Sequence, residues 1–247
     1  MNIDRISPTL RPNGRVAQRQ SWIDLLFLHW RVPVAALRPL IPAALEIDTF
    51  EGDAYVGVVP FTMRGVRPVW APTVPGVSNF HETNVRTYVH RDGRDPGVWF
   101  FSLDAASRIA VAIARTFWHL PYHHATMSLE KLPGGDVRYD TDRNSPPPVP
   151  AGCHVTYRPM GAPKPATPGT LEHFLAERYI LYADTGGGDL RLGRVHHVPY
   201  PLERAELVRW DESLLAAADI PRPDGEPLAH YAAGVDVDVF ALEPIAP

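Results

Sequence analysis

Two stretches of this chain carry side chains that could do chemistry together. The run Phe80-His81-Glu82-Thr83-Asn84-Val85-Arg86-Thr87-Tyr88-Val89 alternates with period two. On a strand that puts Glu82, Asn84, Arg86 and Tyr88 on one face and His81, Thr83, Val85, Thr87 and Val89 on the other. A carboxylate, an amide and a guanidinium in one row would hold and protonate a small polar ligand if the face lined the interior of a small barrel. The same row is a solvated outer face if the valines point to the core, and the pattern alone leaves both readings open. The second stretch runs from Arg108 through Arg115 to Pro121-Tyr122-His123-His124. Arg108 and Arg115 are seven apart, two helical turns on one face, and a guanidinium buried there must be paired with an acceptor.

Other chemistries find less support. Of 24 basic residues only Lys131 and Lys164 are lysines; the first precedes a Pro-Gly-Gly turn and the second sits between prolines, so both are expected to be exposed. Cys153 is the only cysteine, which excludes an internal disulfide and any multi-cysteine metal site, and it reads as a small core residue. His119 and His123 have a spacing that would chelate zinc on a helix, but Pro121 interrupts it. Neighbours such as His123-His124 and His196-His197 point to opposite faces of a strand, so no metal site is expected. Gly186-Gly187-Gly188 lacks the following Lys-Ser/Thr of a phosphate loop and reads as a hairpin turn. No Gly-x-Ser-x-Gly elbow marks a hydrolase, and no cofactor is implied.

Positioning these residues requires strands. Turn signals at Glu51-Gly52-Asp53, Arg91-Asp92-Gly93, Pro133-Gly134-Gly135-Asp136 and Gly186 to Asp189 separate β-rich stretches over 55–63, 80–90, 98–103, 123–132, 153–158, 191–197 and 205–210. The expected fold is mainly β, an antiparallel barrel or sandwich with a few helices. Short helices are expected over 34–40, 171–176 and 212–218. The longest, Arg108 to Trp118, starts at an N-cap Ser107 and is apolar nearly all round (Ile109 to Ala114 and Phe117), which predicts a buried helix. A last strand within 233–242 alternates Val235, Val237 and Val239 with Asp236 and Asp238, one face wet. The Pro-rich segments at 146–150 and 159–168 read as extended connections inside one domain.

The 247 residues are 45% apolar, enough for one well-packed core, with a net charge of −4. That charge and the scattered arginines argue against nucleic acid or anionic membrane as partner. Residues 1–20 read as an exposed polar arm without a signal sequence, followed by a single domain over 21–247. No apolar run approaches the length of a membrane span. The expected setting is cytoplasmic, the expected partner a small molecule, and homo-oligomerisation is compatible with the composition.

Three stretches in order resemble the acetoacetate-decarboxylase-like superfamily, and within it the uncharacterised YqjF-like branch: Leu28-His29-Trp30-Arg31-Val32-Pro33 with Ala36-Leu37-Arg38-Pro39-Leu40-Ile41-Pro42 and Leu45-Glu46-Ile47-Asp48; Asn79 to Arg86; and the helix ending at Arg115 that runs into Leu120-Pro121-Tyr122-His123. In the decarboxylase the arginine and proline of the third stretch precede two lysines, the first of which forms an imine with the keto acid. Here Tyr122-His123 stands at that place, and neither a phenol nor an imidazole can condense with a ketone to give the electron-sink iminium. Of the family's two active-site glutamates the second resembles Glu82, whereas the first falls near Val56 or Gly57 and is absent. The resemblance places Tyr122 and Glu82 in a cavity, and strand alternation would bring His124 with Tyr122. Arg115 becomes either a carboxylate anchor or a strut paired to Glu82.

The expected function is therefore a lyase- or isomerase-type enzyme acting on a carbonyl-containing or aromatic acid without a Schiff-base lysine. Glu82 or His124 would move the proton, Tyr122 would hydrogen-bond an enolate oxygen, and Arg115, Asn84 and Arg86 would bind substrate. A non-catalytic binder of small hydrophobic ligands is the alternative, and a relic with a filled cavity a third. A polar cavity with a perturbed carboxylate or imidazole favours the enzyme, and an apolar cavity the binder.

Overall fold

The structure is a computed structural model that describes residues 3–186 and 188–245 and all their side chains except that of Phe117. Gly187 of the expected glycine-rich turn and the Phe117 side chain of the expected buried helix lie outside the described parts. Thirteen strands are described: β1 Val16–Val32, β2 Glu46–Ile47, β3 Ala54–Pro68, β4 Phe80–Arg91, β5 Arg94–Ala105, β6 Tyr122–Lys131, β7 Val137–Ser145, β8 Gly152–Lys164, β9 Ile180–Asp184, β10 Leu190–His196, β11 Leu202–Glu212, β12 Leu228–Phe240 and β13 Glu243–Pro244. The helices are α1 Val34–Leu37, α2 Arg108–Phe117, α3 Leu171–Ala176 and α4 Leu214–Ala217. All strands belong to one large sheet, which rejoins itself where β5 pairs with β4 and where β10 pairs with β12. Among the described residues no helix is long and apolar enough to cross a membrane.

The mainly β, mostly antiparallel architecture follows the turn spacing, with one departure. Leu103 to Ala105 on β5 pair in parallel with Tyr122 to His124 on β6, and β5 also runs parallel to β9. Parallel neighbours need a crossover, and α2 is that crossover between β5 and β6. Its N-cap is Ser107, whose hydroxyl accepts from the Ala110 amide at 3.3 Å. At its end His119 takes a left-handed turn (φ 52°), which redirects the chain into Pro121 and β6.

The expectation that this helix is buried all round is corrected by the structure. Val111 is buried and the small Ala110 and Ala114 pack inward, but Ile109 and Ile113 are 56% and 46% exposed. Small alanines let one face of the helix approach the sheet closely while the isoleucines stay outside. Counting apolar residues around the helix does not separate those two faces. The expected arm over 1–20 is also shorter than its limit, because β1 starts at Val16: Gln18 pairs with Val239 on one side and Pro68 on the other, and Gln20 is buried.

The β1–β3–β4 part of the sheet is covered on both faces. One face joins Leu26, Leu28, Val56, Val58, Val85 and Val89 in a solid core, and the other joins Leu25, Phe27, Val59, Phe61 and Phe80. The side-chain parity of β1 switches at Asp24, whose φ of 51° marks a bulge where the pairing with β3 shifts register between Ile23 and Leu28. Trp22 before the bulge and Leu25 and Phe27 after it consequently face the same side.

Beyond β6, Arg143 of β7 reaches back to β5, donating to both carboxylate oxygens of Asp104 at 2.7 and 2.8 Å and to the Ser102 hydroxyl at 2.9 Å. The pair is almost wholly buried and clamps β5 to β7 across the strand that carries Tyr122. Breaking a buried pair leaves an uncompensated charge. Arg143→Met should therefore lower unfolding free energy by about 3–5 kcal/mol in urea titrations, whereas Arg158→Ala, which removes an exposed pair with Asp136, should leave stability nearly unchanged.

Candidate functional site

A cavity of about 370 Å³ opens between β1, β3, β4, β5, β9, β10 and β12. Phe27, Val59, Phe61, Leu103, Val195 and Tyr200 make much of its wall. Ile113 of α2 and Val74 of the β3–β4 connection line it while half exposed, which places its mouth between those two elements.

The polar face of β4 lines this cavity: Glu82, Asn84 and Arg86 all contribute to it and are 2%, 5% and 8% exposed. Their neighbours Thr83, Val85, Thr87 and Val89 are fully buried on the solid-core side. Of the two readings left open by the alternation, the interior one holds.

Tyr122 joins Glu82 from β6. Its hydroxyl donates to Glu82 Oε2 at 2.8 Å. Burial pushes the Glu82 carboxyl up to about 8, against the lowering effect of that hydrogen bond, and Asp104 adds to the rise. Burial likewise pushes the Tyr122 phenol well above its ordinary range, with Glu82 reinforcing it. A neutral carboxylic acid bonded to a neutral phenol is thus the resting state near pH 7, and the carboxyl keeps a proton to give to whatever enters.

The far end of the row is electropositive. Arg86 donates to the Leu175 carbonyl at 3.3 Å and lies 5.6 Å from the ring centre of Phe27 and 5.9 Å from that of Tyr88. Arg178, which also lines the cavity, lies 4.8 Å from the Tyr88 ring centre and pairs with Asp48 at 2.8 Å. Asp48 is shared with Arg5, so two guanidiniums meet one carboxylate. Among the described residues no carboxylate lies within 4.0 Å of Arg86. Arg86 Nε, Arg178 Nη2 and Asn84 Oδ1 are buried without hydrogen-bond partners. Each such group costs about 1–3 kcal/mol while unsatisfied.

The remaining expected site residues stand elsewhere. Arg115 is exposed on α2 and donates to the Tyr122 carbonyl at 2.8 Å. It braces the backbone of Tyr122, is neither a cavity anchor nor a partner of Glu82, and borders a separate open depression with His119 and Asp184. The cause is the exposed face of α2, which turns its arginines outward. His124 shares the face of Tyr122 but lies beyond the cavity, half-exposed beside Asn144, its pKa lowered by partial burial and Arg108. His123 takes the other face and bonds the Pro146 carbonyl at 2.9 Å. Neither lysine borders the cavity; Lys131 is exposed and paired with Asp24 at 3.0 Å, and Lys164 is exposed at the end of β8. Cys153 is buried with its thiol pushed up by burial. Among the described residues no group of three or more His, Cys, Asp or Glu is placed to hold a metal ion. Sequence reasoning did not find Arg178, Tyr200, Trp22 or Phe27, which come from elements whose inward faces alternation did not mark.

The raised pKa of Glu82 has a thermodynamic signature. Between the ordinary value of 4.5 and about 8 the folded protein holds this proton and the unfolded chain does not. Raising pH through that window therefore favours unfolding, by up to about 1.4 kcal/mol per pH unit from this group. Glu82→Gln removes the contribution: urea unfolding of wild type and variant should show the wild type losing stability relative to the variant as pH rises from about 5 to 8. Parallel curves would mean that Glu82 titrates normally.

The arrangement can be set beside known proteins. The chain matches the DUF2071 family, described as an uncharacterized conserved protein, over residues 19–236. It is 42% identical over 231 residues to the Uncharacterized protein YqjF of Bacillus subtilis (strain 168), spanning 94% of this chain and 93% of that relative. Among solved structures, the acetoacetate decarboxylase from Legionella pneumophila subsp. pneumophila str. Philadelphia 1 superposes with a TM-score of 0.64 at 11% identity over 97% of this chain and 94% of the other. An acetoacetate decarboxylase-like enzyme from Sphingomonas wittichii RW1 gives 0.63 at 13% over 94% of both. The enduracididine biosynthesis enzyme MppR, complexed with pyruvate, gives 0.62 at 14% over 96% of this chain and 92% of that one. At such identities the likeness is one of fold. With its sequence match and its sheet both accounted for, the chain belongs to the DUF2071 family and has the acetoacetate-decarboxylase-like fold.

Proposed function

We propose that this protein is an enzyme that moves a proton on a small carbonyl-containing or aromatic acid, with Glu82 as the proton-carrying group and no lysine imine. The observation that carries the reading is the buried Glu82–Tyr122 pair on the wall of a cavity large enough for a small organic molecule. A carboxyl titrating near 8 is close to neutrality, so both its acid and its base forms are available. In the base form it takes a proton from carbon next to a carbonyl; the C–H electron pair moves onto the carbonyl oxygen as an enolate. Tyr122 turns its hydroxyl to that oxygen, and burial favours the neutral acid that Glu82 has become. Returning the proton to the same or a neighbouring carbon gives exchange or isomerisation. Arg86 takes the anion-holding role expected of Arg115. The expected setting stays the cytoplasm and the expected partner a small molecule.

The apolar wall favours a second reading, a carrier of small hydrophobic ligands that does no chemistry. Incubation in deuterated water with a panel of oxo acids and aryl acids separates the two. The enzyme reading expects deuterium uptake at carbon by wild type, a loss of at least about 10²-fold in Glu82→Gln and a smaller loss in Tyr122→Phe. Ligand binding with no uptake from any acid supports the carrier. Borohydride reduction during turnover should leave the intact mass unchanged; an adduct on Lys131 or Lys164 would contradict the proposed chemistry.

A further inference from the structure

The cavity has two chemically different ends, and the distance between them constrains its ligand. Glu82 and Arg86 are four residues apart on one face of β4, which separates their Cα atoms by roughly 13 Å. Their side chains do not converge. Glu82 turns to the Tyr122 hydroxyl on β6, while the Arg86 guanidinium lies beside Phe27, Tyr88 and the Leu175 carbonyl, on the side of β4 where the chain continues to residue 88. Gly57 lies opposite Arg86 in the β3–β4 register, and a Cβ there would come within 3.6 Å of Arg86 Cγ and 3.0 Å of the His29 ring. The bare glycine leaves room for the His29 ring, which bonds the Tyr88 hydroxyl at 2.6 Å beside Arg86. Between the two ends stand Asn84 and apolar wall residues such as Val59, Leu103 and Phe27.

Arg86 is a buried cation without a carboxylate partner among the described residues; a second guanidinium, that of Arg178, lies against the same Tyr88 ring, and its partner Asp48 is shared with Arg5. A buried charge in that state calls for an anion from outside the chain. Subtracting about 3 Å of contact at each end leaves a ligand span of roughly 7 Å, or about six chain bonds.

We propose that the cavity selects an amphipathic monocarboxylate, its carboxylate held at Arg86 and its reacting atom presented to Glu82 and Tyr122 across an apolar spacer of about six bonds. The inference rests on the proton-transfer reading only for what happens at the Glu82 end; the carboxylate end stands on Arg86 alone. It places short keto acids, whose carboxylate and carbonyl are adjacent or one carbon apart, outside the preferred class, because they cannot reach both ends together.

Titration of the whole protein with straight-chain carboxylates from acetate to decanoate, each beside its methyl ester, tests this by calorimetry or by the fluorescence of Trp22 at the cavity wall. Affinity should rise with chain length to about eight carbons, and octanoate should bind at least about tenfold tighter than methyl octanoate. Arg86→Met should abolish the acid's advantage while keeping ester binding, which also reports that the variant is folded. Arg86→Lys should restore part of it, a point charge in place of a fork. Equal affinity for acid and ester in wild type, acid preference undiminished in Arg86→Met, or acetoacetate and pyruvate binding as tightly as octanoate would each overturn the proposal. Length-dependent, Arg86-dependent binding with no deuterium exchange would leave it standing and remove only the catalytic reading.

Discussion

A carboxyl group deprived of both water and a cation keeps its proton, and the site depends on Glu82 being held in that condition. The requirement begins with β4, which is buried on both faces: a packed valine and threonine face fixes the strand, so its other face can carry Glu82, Asn84 and Arg86 without access to bulk water. Placing the one cation of the row four residues away from the carboxyl separates acid from base along the strand. Had Arg86 stood within ion-pair distance, Glu82 would titrate in the ordinary carboxylate range and Arg86 would be neutralised internally. Separation leaves each unsatisfied by the other and available to a ligand.

Tyr122 sets the other half of the condition, and several devices serve its position. The crossover through α2 brings β6 alongside β5 with Tyr122 opposite Leu103, and Arg115 fastens the Tyr122 carbonyl from outside. The buried Arg143–Asp104 clamp holds the strands on either side of β6. These groups serve the site through geometry and touch nothing that enters the cavity. Ile113 of α2, half exposed, borders the mouth, where an apolar ligand would first meet the protein.

How much of this the sequence discloses depends on where local pattern and burial coincide. The alternation of β4 is unbroken, so the shared face of Glu82, Asn84 and Arg86 is readable at once, and resemblance to a known family turns that face inward. β1 is the opposite case. Its inward residues change parity at the Asp24 bulge, and its first inward positions, Gln18 and Gln20, are polar, so an interior strand looks partly like an exposed arm. Arg115 and His124 show the limit of periodicity: both lie on the expected elements, but helix rotation and the end of the cavity decide what they face, and neither is a local property. Arg178 carries no local signal either, since its place at the cavity wall is set by the long-range pair with Asp48.

Isotope-edited infrared spectroscopy of protein labelled at glutamate carboxyls, taken as the difference between wild type and Glu82→Gln across a pH titration, observes the central group directly. The account predicts a carbonyl stretch of a protonated carboxylic acid in the wild type at neutral pH, fading with a midpoint near the 8 expected for Glu82 and perturbed when a carboxylic-acid ligand is added. A carboxylate signal already complete at pH 6, with a midpoint near the ordinary value of 4.5, would contradict it.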